Sequence, residues 1–80
     1  MQSGILTLDL HGNNTHQTKV AVDALLRKAG NGTYRIRLIH GCHGGTALRD
    51  MIRKDYRKHP GVLRLEMGSN TETDLVLREF

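Results

Sequence analysis

Two short segments alternate strictly between apolar and polar residues, and they limit the folds open to this chain. Residues 5–11 place three leucines on one face of a strand, and residues 33–39 repeat the alternation after one helical stretch. A strand, a helix and a second strand favour a right-handed crossover, which makes the two strands parallel. We therefore expect their carboxyl ends, at His11 and His40, to meet at the same edge of one sheet.

The stretch between these strands has the apolar spacing of an amphipathic helix. Asn14 or Thr15 can cap its start. Its predicted buried stripe consists of Val20, Ala24 and Leu25, widened by Val22, Leu26 and Ala29. Gly30 or Gly32 should end the helix in the left-handed conformation that is common at helix carboxyl ends.

A second helical pattern begins near Ala47 and stops at a proline-containing turn. Two further strands, residues 62–67 and 74–78, are joined by a polar loop and predict a hairpin. The order βαβαββ predicts one α/β domain over residues 1–80, with residues 1–4 as a linker. Its architecture is an α+β two-layer sandwich, in which two helices cover one face of a four-stranded mixed sheet.

The net charge of +4 is unevenly distributed. Residues 27–64 carry +8 and the two flanks together carry −4. This distribution favours a polyanion partner, although a solvated basic surface would look the same. The single cysteine, Cys42, excludes an internal disulfide, and no apolar run approaches the roughly 20 residues of a membrane span. We expect a cytoplasmic protein without a membrane partner.

Asp9 and His11 should stand side by side on the open face of the first strand. A carboxylate beside an imidazole can orient and charge the ring for general acid–base catalysis. The alternative is structural, with Asp9 capping a turn and His11 bonded to a loop carbonyl.

The segment that joins the second strand to the second helix is rich in glycine and histidine. Free backbone N–H groups at a helix start favour an anion such as phosphate, although a plain connector is the alternative. A cation at Arg49, in the first turn, is disfavoured by the helix dipole unless it reaches the same anion. The predicted phosphate-binding residues, including the basic helix face, are Gly41, His43, Gly44, Gly45, Thr46, Arg49, Arg53 and Arg57.

Metal binding is a competing interpretation of the same residues. His40, Cys42 and His43 are too close in sequence to supply three tetrahedral zinc ligands without contortion. Mg²⁺ or Mn²⁺ acting with a phosphate substrate is the better metal hypothesis, with Asp9 as the natural ligand.

Residues 8–12, Leu-Asp-Leu-His-Gly, resemble the LDxH motif of the Smr (small MutS-related) domain family. Residues 39–41, followed by residues 44–49, resemble the HGxG segment and the helix start of that family. The spacing between the two motifs and the order βαβαββ agree with the family across essentially the whole chain. The loop departs from the family pattern, because His43 stands where HGxG has its second glycine and Gly44 follows one residue later.

The resemblance implies a fold similar to the carboxy-terminal domain of translation initiation factor three. It also implies nucleic-acid binding, with endonuclease activity, often nicking, in some members. Such domains occur within larger MutS-like or ribosome-associated proteins. By position, Asp9 and His11 correspond to the first motif, and His40 and Gly41 to the second.

These residues are compatible with two functions that act on DNA or RNA. In the first, a phosphodiesterase, His11 polarised by Asp9 activates water or a ribose 2′-hydroxyl, and His40 protonates the leaving oxygen or holds the phosphate. In the second, a binding module without chemistry, the loop docks a phosphate. A protein-interaction domain with an acidic partner is a third. The cations that would supply the binding module's affinity are Arg35, Arg37, Arg53 and Arg57.

Overall fold

The structure is a computed structural model that describes residues 4–41 and 46–79. Residues 1–3, 42–45 and 80 lie outside that description, and so do the predictions for Cys42, His43, Gly44 and Gly45. The predicted element order is confirmed. The elements are β1 Ile5–Asp9, α1 Thr15–Lys28, β2 Arg35–Ile39, α2 Ala47–Asp55, β3 Arg64–Glu66 and β4 Glu72–Val76.

The sheet has the strand order β1-β2-β4-β3. β1 and β2 are parallel, with Leu8 opposite Leu38, which confirms the crossover. β4 runs antiparallel to both β2 and β3, which confirms the hairpin. β1 and β2 therefore end where β4 begins, and we call this side of the sheet the carboxyl edge.

The core lies between the two helices and one face of the sheet. Strand residues of even number on β1 and β2 meet Val22 of α1 and Ile52 of α2, so both helices cover the same face, as predicted. Burying each such side chain contributes roughly 1.5–3 kcal/mol. The buried apolar cluster comprises Leu10, Val22, Ile36, Leu38, Ile52, Tyr56, Val62 and Leu75.

α1 begins as predicted but differs along its length. Asn14 caps it, in a capping box in which Asn14 accepts from the Gln17 N–H at 2.7 Å and Gln17 accepts from the Asn14 N–H at 2.9 Å. The prediction that Val20 is buried is wrong: its side chain is 55% exposed, whereas Val22 is fully buried. Two residues turn a helix by about 200° at 3.6 residues per turn, so both cannot face the sheet.

The predicted glycine ending of α1 is also wrong. Ala29, in extended conformation, is the C-cap, and neither Gly30 nor Gly32 has a positive φ. Gly4, the last residue of the predicted linker, does have a positive φ of 82°. Its carbonyl accepts a hydrogen bond from the Tyr34 N–H at 2.9 Å. No helix among the described residues is long and apolar enough to cross a bilayer.

Candidate nucleic-acid site

Asp9 and His11 form a hydrogen-bonded pair at the carboxyl edge. His11 Nδ1 lies 2.6 Å from Asp9 Oδ1, which also accepts the His11 backbone N–H at 3.1 Å. Because an ionised carboxylate only accepts, Nδ1 carries the proton and Nε2 is left for another partner. The side chains are 77% exposed for His11 and 54% for Asp9. The two side chains therefore orient each other through these hydrogen bonds, and both are accessible from solvent.

The contact between Asp9 and His11 shifts the pKa of each side chain in the direction that favours its charged form. The hydrogen bond to Asp9 raises the pKa of His11, and the opposite charge adds to this effect. The side-chain and backbone hydrogen bonds from His11 lower the pKa of Asp9. Asp9 thus stabilises the protonated form of His11, which suits a group that both takes and gives a proton.

His40 has a different environment at the same edge. Its side chain is buried, and the residue is 4% exposed. Its Nδ1 lies 3.1 Å from the Gly41 carbonyl and its Nε2 lies 3.0 Å from Thr73 Oγ1. A carbonyl only accepts, so Nδ1 donates to Gly41 and Nε2 accepts from the Thr73 hydroxyl. Both ring nitrogens therefore have partners within the domain.

A short relay of donors fixes this arrangement. Arg53 Nε donates to Thr73 Oγ1 at 3.0 Å, and Arg53 Nη2 donates to the Ser69 carbonyl at 3.0 Å. The Thr73 hydroxyl, having accepted from Arg53, can donate its own proton to His40. Burial lowers the pKa of His40, and the charges of Arg53 and Arg49 lower it further. Both effects favour the neutral form of the ring.

The structure brings the backbones at His11 and His40 together but gives their rings separate partners. The Leu10 N–H donates to the Ile39 carbonyl at 2.8 Å, and a Cβ on Gly41 would lie 3.7 Å from the His11 Cβ. Continuing the register past Asp9 and Ile39 sets His40 beside Leu10, on the helix-covered side. The sequence carried this signal, since Ile36, Leu38 and His40 share one strand parity.

Two predicted phosphate-binding residues at the start of α2 have partners inside the domain. Arg49 Nε lies 3.1 Å from Asp50 Oδ1, and the Thr46 hydroxyl donates to Asp50 Oδ2 at 2.9 Å. These hydrogen bonds lower the pKa of Asp50. The contact with Asp50 therefore accounts for the position of Arg49 in the first turn of α2, and no external anion is needed. The Thr46 side chain forms no capping hydrogen bond.

Sequence reasoning missed the acids that meet the basic strand β2. Arg35 Nη1 lies 2.7 Å from Asp74 Oδ2 and 2.8 Å from Glu66 Oε1. Arg37 Nε lies 3.2 Å from Asp74 Oδ1, and Arg64 pairs with Glu66 and Glu79. These pairs join three strands across the open face of the sheet. The acidic flanks thus neutralise part of the basic middle of the chain.

The described residues contain no group of three or more His, Cys, Asp or Glu side chains placed to hold a metal ion. Asp9 offers one carboxylate, and its Oδ1 is engaged by His11. A role for Asp9 as a Mg²⁺ or Mn²⁺ ligand stays a prediction.

Comparison with known proteins agrees with the fold and motifs. The family model of the Smr domain matches residues 8–74. The crystal structure of the Smr domain of Thermus thermophilus MutS2 is similar, with a TM-score of 0.81 and 30% sequence identity over 92% of this chain and 99% of that one. No curated protein matches the chain. The chain belongs to the Smr domain family, a family of nucleic-acid-binding, nuclease-like domains.

Proposed function

We propose that this Smr domain binds DNA or RNA and cleaves its phosphodiester bonds with the Asp9–His11 pair. The observation that carries the proposal is the 2.6 Å contact between His11 Nδ1 and Asp9 Oδ1, on side chains that are mostly exposed. An accessible imidazole whose orientation and proton position are fixed by a carboxylate is equipped for proton transfer. Membership of the Smr family supports a nucleic acid as the substrate.

The chemistry assigns one role to each member of the pair. His11 Nε2 takes a proton from the attacking oxygen, which belongs to water or to a ribose 2′-hydroxyl. A new oxygen–phosphorus bond forms, the bond to the leaving oxygen breaks, and the imidazolium returns its proton to that oxygen. Asp9 keeps the ring in the required tautomer and stabilises the imidazolium.

His40 acts in this proposal by positioning the loop that follows β2. Its Nδ1 donates to the Gly41 carbonyl, and Gly41 has a φ of +70°. The N–H groups of this loop, at the amino end of a helix, are proposed to hold the phosphate. The proposed loop residues are Gly41, His43, Gly44, Gly45 and Thr46.

A binding module without catalysis is the second candidate, and the environment of His40 favours it. With both nitrogens of His40 hydrogen-bonded inside the domain, His11 is the only accessible imidazole of the two motifs among the described residues. A phosphodiesterase in which one imidazole both accepts and donates the proton needs the leaving group within its reach.

Supercoiled plasmid and a structured RNA distinguish the two functions. Each substrate is incubated with the wild type, Asp9→Asn and His11→Ala, with and without EDTA, and binding is measured separately. We expect both variants to bind but not to cleave. Asp55→Asn, which removes an exposed carboxylate from α2, is the control and should cleave normally. Cleavage by both active-pair variants would overturn the enzymatic proposal, and binding without cleavage by the wild type would support the second candidate.

A further inference from the structure

The cations of the described residues fall into two classes. One class has a carboxylate within 4 Å: Lys19, Arg35, Arg37, Arg49 and Arg64. The second class has no such partner among residues 4–41 and 46–79. A cation that is already paired gains less from a phosphate, because binding must first break the existing pair. The second class is therefore the better guide to where a polyanion lies.

Among the described residues, four of the seven cations without a carboxylate partner lie together on one surface. Arg53, Lys54, Arg57 and Lys58 line a shallow groove of about 490 Å³, which we call the basic groove. The other lining residue, Asp50, already accepts from Thr46 and Arg49. Lys54, Arg57 and Lys58 are exposed, so their charges face solvent.

The basic groove includes Arg53 at the carboxyl edge and extends over the end of α2 into the turn that follows it. Arg53 anchors its near end, through the hydrogen bonds to Thr73 and to the Ser69 carbonyl. Arg57 and Lys58 lie in the turn that follows the end of α2. A nucleic-acid strand in this groove would therefore reach the same edge of the sheet at which Asp9 and His11 lie.

We infer that the basic groove binds the phosphodiester backbone of the nucleic acid and supplies most of the sequence-independent affinity. This inference rests on the proposed function. It adds Lys54 and Lys58 to the nucleic-acid-binding residues Arg53 and Arg57. It excludes Arg35, Arg37 and Arg49 from that set, because they have acidic partners. The match is one of charge: an uncompensated row of cations beside a chain of phosphates.

The test compares two double variants with the same change in net charge. Lys54→Gln with Arg57→Gln removes two charges from the groove. Arg27→Gln with Lys28→Gln removes two exposed cations, likewise without carboxylate partners, from the last turn of α1. Affinity for a labelled duplex is measured by fluorescence anisotropy over a range of salt concentrations. Thermal melting of each variant checks the fold.

For the groove variant we expect at least a tenfold loss of affinity at low salt. The slope of log affinity against log salt should flatten by about 1.8, since each lost phosphate contact removes about 0.9. The α1 variant should bind within about twofold of the wild type. Equal losses in the two variants, or no loss in either, would overturn the inference and leave the proposed function standing. A wild type that binds neither DNA nor RNA would overturn both.

Discussion

Two histidines at the carboxyl edge have opposite environments, although each belongs to a motif of the same family. His11 is exposed and bonded to a carboxylate, whereas His40 is buried and bonded to a hydroxyl and a carbonyl. The pKa of His11 is raised by its hydrogen bond to Asp9, and the pKa of His40 is lowered by burial. Position in a motif therefore does not determine the role of a histidine; strand parity and partner do.

The contrast also separates function from stability. The Asp9–His11 pair contributes little to folding, because exposed ion pairs are screened by water. The His40 relay lies inside the domain, where an unpaired polar group is costly. The following predictions test whether the two histidines are as different as their surroundings indicate.

The largest effect should come from removing the exposed pair. His11→Ala or Asp9→Asn should lower the cleavage rate by about 100-fold or more, because general acid–base catalysis contributes about 10²–10⁴. The melting temperature should stay close to that of the wild type. Cleavage kinetics and thermal unfolding of the same preparations measure both. A fall in melting temperature that parallels the loss of cleavage would contradict the separation.

Removing the buried histidine should mainly affect stability. His40→Ala deletes a buried ring, leaves the Gly41 carbonyl without its His40 donor and leaves the Thr73 hydroxyl without its acceptor, so the free energy of unfolding should fall by about 2–3 kcal/mol. Urea denaturation measures this loss. His16→Ala, at an exposed position on α1, is the control and should change stability by about 0.5 kcal/mol or less. Equal losses in the two variants would refute the structural role of His40.

Gly41 joins the two environments, and its backbone should be sensitive to substitution. Gly41→Ala places a side chain at a φ of +70° and should destabilise the domain by about 1–2 kcal/mol. The added Cβ would meet the His11 Cβ at 3.7 Å, an ordinary contact, so conformation rather than collision causes the loss. Gly30→Ala is the matched control, because Gly30 has no positive φ and open space around it. Equal melting temperatures for the two variants would argue against this origin.

The smallest effect is the pH dependence of each histidine, and the signs should differ. The pKa of His40 is lowered, so the folded state binds fewer protons there than the unfolded chain. Its contribution to stability is complete above the unfolded value of about 6.5 and is lost as pH falls through the folded pKa. The pKa of His11 is raised, so its smaller contribution is present below about 6.5 and is lost as pH rises through the folded pKa.

An NMR titration of the two imidazole rings measures these directions. The His11 resonance should titrate at a higher pH than a free histidine, and the His40 resonance at a lower pH. His40→Gln should also reduce the loss of unfolding free energy on acidification. Identical midpoints for the two rings would erase the contrast on which the assignment of roles depends.

Local patterns were enough to predict the architecture. Alternation in residues 5–11 and 33–39, with a helix between them, gave the parallel pair β1–β2 and placed Asp9 beside His11. Such features depend on neighbours in sequence, and the rules of strand parity and crossover handedness determine them. The capping role of Asn14 is local in the same sense.

Features that depend on tertiary partners could not be predicted in this way. Thr73 meets His40 from 33 residues away, and Asp74 meets Arg35 from 39 residues away. No short-range pattern indicates such pairs. The prediction that Val20 is buried was wrong for a similar reason, because packing across the whole layer determines which face of α1 contacts the sheet.

The pairing of Asp74 with Arg35 and Arg37 has a consequence for how the domain would approach a polyanion. With the open face of the sheet electrically compensated and the exposed side of α2 not, the domain has a permanent charge asymmetry. The electric field of a nucleic acid would exert a torque on this asymmetric charge distribution. That torque would turn α2 toward the phosphates before any contact forms. Orientation during diffusion would then raise the fraction of productive encounters, most strongly at low ionic strength.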